Sequence, residues 1–203
     1  MSTQRFVSVA MLWIVCFIAG CQSTPSIPPN PANVSLATRN NCYSLLYQLL
    51  DEQKDVSILR FIKPEQADVK ALMIRIAKTS GAGAAQIKQF AKEDKSISLN
   101  NIELPPGEVS TRDAIASNKK DTLLGATGDE FELTLLLTQT EALNYAWHLA
   151  EVAAKNEPQP GRARTLLSLG AEMEVLYQEV FHLMLAKIKH IPVPKLSPAN
   201  VSR

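Results

Sequence analysis

From residue 42 to residue 183 the apolar side chains recur three and four positions apart, and they do not settle into an alternating pattern. Cys42, Leu45, Leu46, Leu49 and Leu50 fall on one face of a helix, with Asn40 or Asn41 placed to cap its start. That helix either runs on toward Ile62 or breaks near Asp55. Val69, Leu72, Met73, Ile76, Ile87, Phe90 and Ala91 predict a second helix, with Pro64 standing where a first-turn proline belongs. Phe131, Leu135, Leu136, Leu143, Ala146, Leu149, Ala150 and Ala153 predict a third, capped by Asp129. Pro158, Pro160 and Gly161 make a turn, and Leu166, Leu169, Met173, Leu176, Val180 and Leu183 carry a fourth. Residues 95–127 are polar and broken by Pro105, Pro106 and Gly107, with room for a short helix from Thr111 capped by Ser110 or Thr111 itself. With no alternating β-branched runs to build a sheet, the expected class is all-α. The expected architecture is a four-helix bundle with a long connection between the second and third helices.

Inside the second helix, Thr79 to Ala85 reads TSGAGAA, and each mid-helix glycine costs about 1 kcal/mol against alanine. The stretch follows a helix rather than a strand and lacks the lysine of a phosphate loop, so it points either to a close helix–helix contact or to a kink.

The two ends have different compositions. Arg5 precedes an apolar run from Phe6 to Ile18, too short for the about 20 residues that span a bilayer core. Residues 1–20 thus read as a signal peptide. Ile18-Ala19-Gly20-Cys21 resembles a bacterial lipobox, which implies cleavage before Cys21 and acylation of Cys21 as the lipidation site. Several acyl chains make a stable anchor where one is marginal. Gln22 stands where an Asp would resemble an inner-membrane retention signal, so in a Gram-negative cell the expected location is the outer membrane, periplasmic face. Residues 21–38 hold Pro25, Pro28, Pro29 and Pro31 among polar residues and read as a tether. Residues 39–189 read as the helical bundle domain, and the proline-broken stretch 190–203 as a flexible C-terminal tail. Of three cysteines, Cys16 leaves with the leader and Cys21 is acylated, so only Cys42 remains, either packed as a small hydrophobe or exposed as a thiol. Loss of Arg5 leaves 20 basic and 20 acidic residues, a neutral balance that gives no footprint for nucleic acid.

Three segments resemble a ferritin-like family of bacterial predicted outer-membrane or periplasmic proteins, itself of unknown function. They are Val69–Ile76, the Gly128-Asp129-Glu130-Phe131-Glu132 opening of the third helix, and Ala150–Lys155 followed by Pro160 and Leu176–Glu179. The resemblance spans about residues 41–188 and implies a ferritin-like four-helix bundle. Members of that family carry Asp-His pairs where this chain has Thr79-Ser80 and Ala142-Leu143, and a late histidine where it has Glu179.

Glu179 and His182 form one Glu-x-x-His, half of a di-iron arrangement that needs two such motifs and two further carboxylates. His148 and Glu151 occur in the reverse order on the third helix. At about 100° per residue, His182 points roughly 160° from the fourth helix's apolar stripe, and Glu141, Asn144, His148 and Glu151 share a polar face. The expectation is therefore a non-enzymatic binding or structural module without a cofactor, anchored by lipid and meeting a protein partner in the envelope. The alternative is an iron, zinc or copper site built from Glu179, His182, His148 and Glu151, with a storage, sensing or redox role. Tyr145, Trp147, Tyr177 and Phe181 are candidates for a partner groove. Replacing Cys21 with Ala is expected to abolish labelling by radioactive fatty acid and leave an uncleaved precursor; labelling that persists would refute the lipobox reading.

Overall fold

The computed structural model describes residues 31–57, 66–100 and 104–189; Cys21, Pro64 and the segment 190–203 lie outside them. The described residues form five helices and no strand: α1 Pro31–Gln53, α2 Ala67–Glu93, α3 Pro106–Gly125, α4 Gly128–Lys155 and α5 Pro160–Ile188. The chain is all-α. Tyr43, Leu46 and Leu50 of α1, Met73, Ile76 and Ile87 of α2, Phe131, Leu135 and Leu143 of α4, and Leu166, Met173 and Val180 of α5 meet in one core. The apolar period picked out all of these but Tyr43, because a helix that buries one stripe leaves the others to water; Leu45 and Leu49, expected on the same stripe, are half-buried.

The four core helices contact one another in a ring, α1 on α2 and α4, and α5 on α4 and α2, with α4 on α5 the most extensive. Arg39 near the start of α1 lies beside Ser96, just past the end of α2, while Lys54 reaches Gly81 in mid-α2, so these helices are antiparallel. Glu132 near the start of α4 meets Lys187 near the end of α5, so that pair is antiparallel as well. Gln66 at the start of α2 meets Glu132 near the start of α4, so α2 and α4 run in the same direction. The chain between them has to return from one end of the bundle to the other, and α3 makes that return. Its span of about 30 Å, at 1.5 Å per residue over twenty residues, suits that task.

The element boundaries differ from expectation in three places. α1 begins at Pro31, inside the stretch read as tether, because a proline is tolerated in a first turn. Asn40 and Asn41 are then interior positions rather than caps, and the Asn40 amide donates to the Ser96 carbonyl at 2.8 Å. α3 starts at Pro106, not Thr111, and buries none of its residues, so no apolar period announces it. It lies against α4 through Arg112, which donates to the Tyr145 hydroxyl at 3.1 Å and sits 5.2 Å from that ring, and through Lys119 on Glu141. α4 starts at Gly128, whose φ of +55° lies in the left-handed region. Asp129 consequently sits in the first turn, where its charge meets the helix dipole, and makes no cap. α1 ends at Gln53, near the expected break at Asp55.

α2 is continuous through Thr79–Ala85, and the close-contact reading of its glycines holds. A Cβ on Gly83 would stand 2.9 Å from a Leu169 methyl and 3.1 Å from a Leu50 methyl, so three helices converge on this bare backbone. Gly83→Val is expected to lower stability by about 1–3 kcal/mol in urea unfolding, overpacking outweighing the gain of losing a mid-helix glycine. An unchanged midpoint would show that the seam opens freely.

Candidate functional site

The four candidate metal ligands are divided among separate surroundings. His148 is exposed on α4, and its Nδ1 lies 3.3 Å from Glu151 Oε2. The indole of Trp147 donates to the other Glu151 oxygen at 3.1 Å. His148, then Trp147, hold the Glu151 carboxyl below the usual carboxylate range. Glu179 faces α2 instead, where Arg75 grips both its oxygens, one of them at 2.9 Å, and is itself raised by that bond. His182 stands exposed against the edge of Phe181. Among the described residues no three of His, Cys, Asp or Glu gather as a ligand group. Where the resembling family carries Asp-His pairs, Ser80 and Leu143 are buried in the core and Thr79 and Ala142 half-buried. The Ser80 hydroxyl is buried there without a hydrogen-bond partner among the described residues.

The buried charge lies at the two ends of the bundle, in residues the sequence did not mark. At the end where α2 and α4 finish and α5 begins, the Glu157 side chain is 0% exposed. It accepts from the Tyr43 hydroxyl at 2.8 Å, Arg162 Nε at 3.0 Å and the Gln159 backbone N–H at 2.9 Å. Arg162 also donates to Asp94 at 2.7 Å. Asp94 in turn accepts from the hydroxyl and backbone N–H of Ser96 at 2.6 and 2.9 Å. Arg39, buried in α1, closes the set by donating to the Ser96 hydroxyl at 2.9 Å. The Ser96 bonds foremost, then Arg162, hold the Asp94 carboxyl low. Burial, reinforced by Glu157, pushes the Tyr43 phenol up, so it stays a donor. Two arginines balance two carboxylates, and the partners replace the water each lost.

At the opposite end the Glu132 carboxylate, the acid of the Gly128–Glu132 segment, is 3% exposed. It accepts from the Gln66 backbone N–H at the start of α2 and from Lys187 of α5 at 2.7 Å. Lys187 also donates to the Gln66 side chain at 3.0 Å. One carboxylate thereby satisfies an orphan donor of α2 and ties α4 to α5.

No protein-family model matches the chain, and neither the curated proteins nor the solved structures compared with it give a match.

The remaining features are surfaces. α2 and α5 are parted by an open groove floored by Gly83, Leu166 and Leu169 and bordered by Thr79, Ser168 and Glu172. Trp147, Tyr177 and Phe181 form a row along the α4–α5 seam: Trp147 and Tyr177 are 6.4 Å apart, Tyr177 and Phe181 stack at 6.2 Å, and His148 stacks on Trp147 at 4.5 Å. Tyr145 does not join them, since it turns toward α3 and Arg112; two positions along a helix rotate it by about 200° from Trp147. Cys42 is buried and free, and burial pushes its thiol up, so it packs as a small hydrophobe. No described helix is long and apolar enough to cross a membrane.

Removing Glu157 leaves the buried Tyr43 hydroxyl without its acceptor and Arg162 with Asp94 alone. Glu157→Ala is expected to cost about 3–5 kcal/mol in urea unfolding, and Tyr43→Phe about 1 kcal/mol. A Glu157→Ala loss under about 1 kcal/mol would mean that water replaces the carboxylate.

Proposed function

We propose that this chain is a lipid-anchored, non-enzymatic binding module at the periplasmic face of the outer membrane, built on a ferritin-like four-helix bundle. The bundle reading is supported by antiparallel neighbours around the ring and by one connection, residues 95–127, that crosses the length of the bundle between two parallel helices. The anchor reading is supported by Ile18-Ala19-Gly20-Cys21 behind its short apolar run.

The observation that carries the functional reading is the dispersal of the ligand candidates. Glu179 is committed to Arg75, His148 and Glu151 to each other and to Trp147, and His182 to neither group. A di-metal centre in a bundle needs its carboxylates and histidines projecting inward together. Here most inward positions are apolar, Ser80 and Gln139 being among the polar ones in mid-helix, and the large side chains left exposed are aliphatic, among them Leu137, Leu167 and Val175. Such a surface suits a protein partner in the envelope, with the helices as a rigid platform. The neutral charge balance gives no attraction for nucleic acid.

The test is elemental analysis of the chain purified without chelator or histidine tag after supply of iron, zinc and copper. The expected result is no stoichiometric metal. About one metal per chain, lost on changing His148 and His182 to Ala, would overturn the reading in favour of a storage, sensing or redox bundle.

A further inference from the structure

α3 is fastened to the bundle at its flanks and only lightly along its length. Ile97 ahead of it and Ala126 directly after it are buried in the core, while no residue of α3 itself is buried. Arg112, Ile115, Ala116, Lys119 and Leu123 recur at helical spacing on the side turned to the bundle. Arg112 donates to the Tyr145 hydroxyl at 3.1 Å, Lys119 pairs with Glu141, and Leu123 packs against the core. In the middle of this stripe Ile115 and Ala116 border an open cavity of about 410 Å³, whose other walls include Leu49 of α1 and Ala142 and Tyr145 of α4. Ile115 is accordingly 48% exposed although it faces the bundle.

We propose that α3 is a strap that opens as a unit while the four core helices stay folded, uncovering the α1–α4 seam at Leu49, Ala142 and Tyr145. Opening breaks the Arg112 and Lys119 bonds and withdraws Leu123, and it gives up little other apolar contact, because the cavity already separates the two surfaces. The Arg112–Glu108 ion pair lies within α3 and does not hold it to the bundle. Lys119 and Glu141 are both partly exposed, so salt weakens their attraction. Once released, the helix has little to keep it helical. It has no side-chain cap and no basic residue in its last turn, and the Thr111 and Thr122 hydroxyls bond back to the carbonyls of Gly107 and Asn118. Opening and melting therefore coincide, and the regained backbone entropy favours the open state. The core loses nothing it depends on, since Glu157 and Glu132 take their partners from the other helices and their flanks. Segments with few buried contacts are those that open below the global unfolding free energy. The inference is independent of the lipid anchor and of metal binding; to the binding-module reading it adds a face that is open only part of the time.

The experiment is hydrogen–deuterium exchange of the full chain, read by mass spectrometry peptide by peptide. Peptides within residues 108–124 are expected to exchange about a hundredfold or more faster than those of the α4 and α5 core, yet more slowly than an unfolded chain. Tyr145→Phe removes the acceptor of Arg112 without altering α3, and is expected to speed exchange in α3 about threefold to tenfold while core peptides keep their rate. Lys119→Ala and 0.5 M sodium chloride, as a chosen condition of about that strength, are expected to act in the same direction by a smaller factor. Exchange of α3 at the core rate would overturn the proposal, as would α3 without any protection in the unaltered chain. So would a Tyr145→Phe chain in which α3 is unchanged, or in which the core speeds up together with α3.

Discussion

The Glu157 carboxylate, fully removed from water just past the end of α4, is the interaction on which the arrangement of helices depends. A buried carboxylate is tolerated only when donors replace its hydration, and here they come from different parts of the chain: Tyr43 of α1, Arg162 of α5 and the backbone of the α4–α5 turn. Through Arg162 the same set reaches Asp94 past the end of α2. Four helix ends are thus held in one relative position by a chain of bonds in which displacing one group leaves its neighbours short of a partner. Apolar packing alone tolerates sliding along a seam; charge-assisted hydrogen bonds do not.

The opposite end repeats the principle with fewer parts. Glu132 holds the first backbone N–H of α2 and the ammonium of Lys187. With both ends fixed, the middle of the bundle is free to be apolar, and small where helices converge. Gly83 lets Leu50 and Leu169 approach the α2 backbone, and Gly170 sits in contact with Ala150 and Trp147. That distribution also bears on function. In a metal-binding bundle the central layer is given over to carboxylates and histidines, whereas here the centre is mostly hydrocarbon, with Ser80 and Gln139 among it, and the buried charges are at the ends.

α3 holds a different position from the other helices. None of its residues is fully buried, and it touches the bundle through Arg112 on Tyr145, Lys119 on Glu141 and the half-buried Leu123. A helix without a buried stripe draws little stability from tertiary packing. Its place in the fold follows from chain connectivity: α2 and α4 run in the same direction, and the intervening segment has to travel the length of the bundle.

The sequence by itself determined the helical class, the four core helices and nearly all of their buried faces, because burial of an apolar stripe imposes a period that shows in the order of residues. It also determined that Glu179 and His182 do not point inward together, since angular position along one helix is fixed by counting. Boundaries were legible only where a breaker coincided with them, as at Pro160. At Asn40 a good capping residue lies within a longer helix, and at Thr111 the helix had already begun at Pro106. Only the tertiary structure decided which charges are buried. Arg39, Asp94, Glu132, Glu157, Arg162 and Lys187 look like ordinary surface residues one by one, and their partners lie up to 121 positions away in the chain. Local periodicity carries information about a helix's own face and none about pairing across such distances. The end clamps therefore exist only once the helices have assembled, and the same assembly brings Glu179 of α5 onto Arg75 of α2.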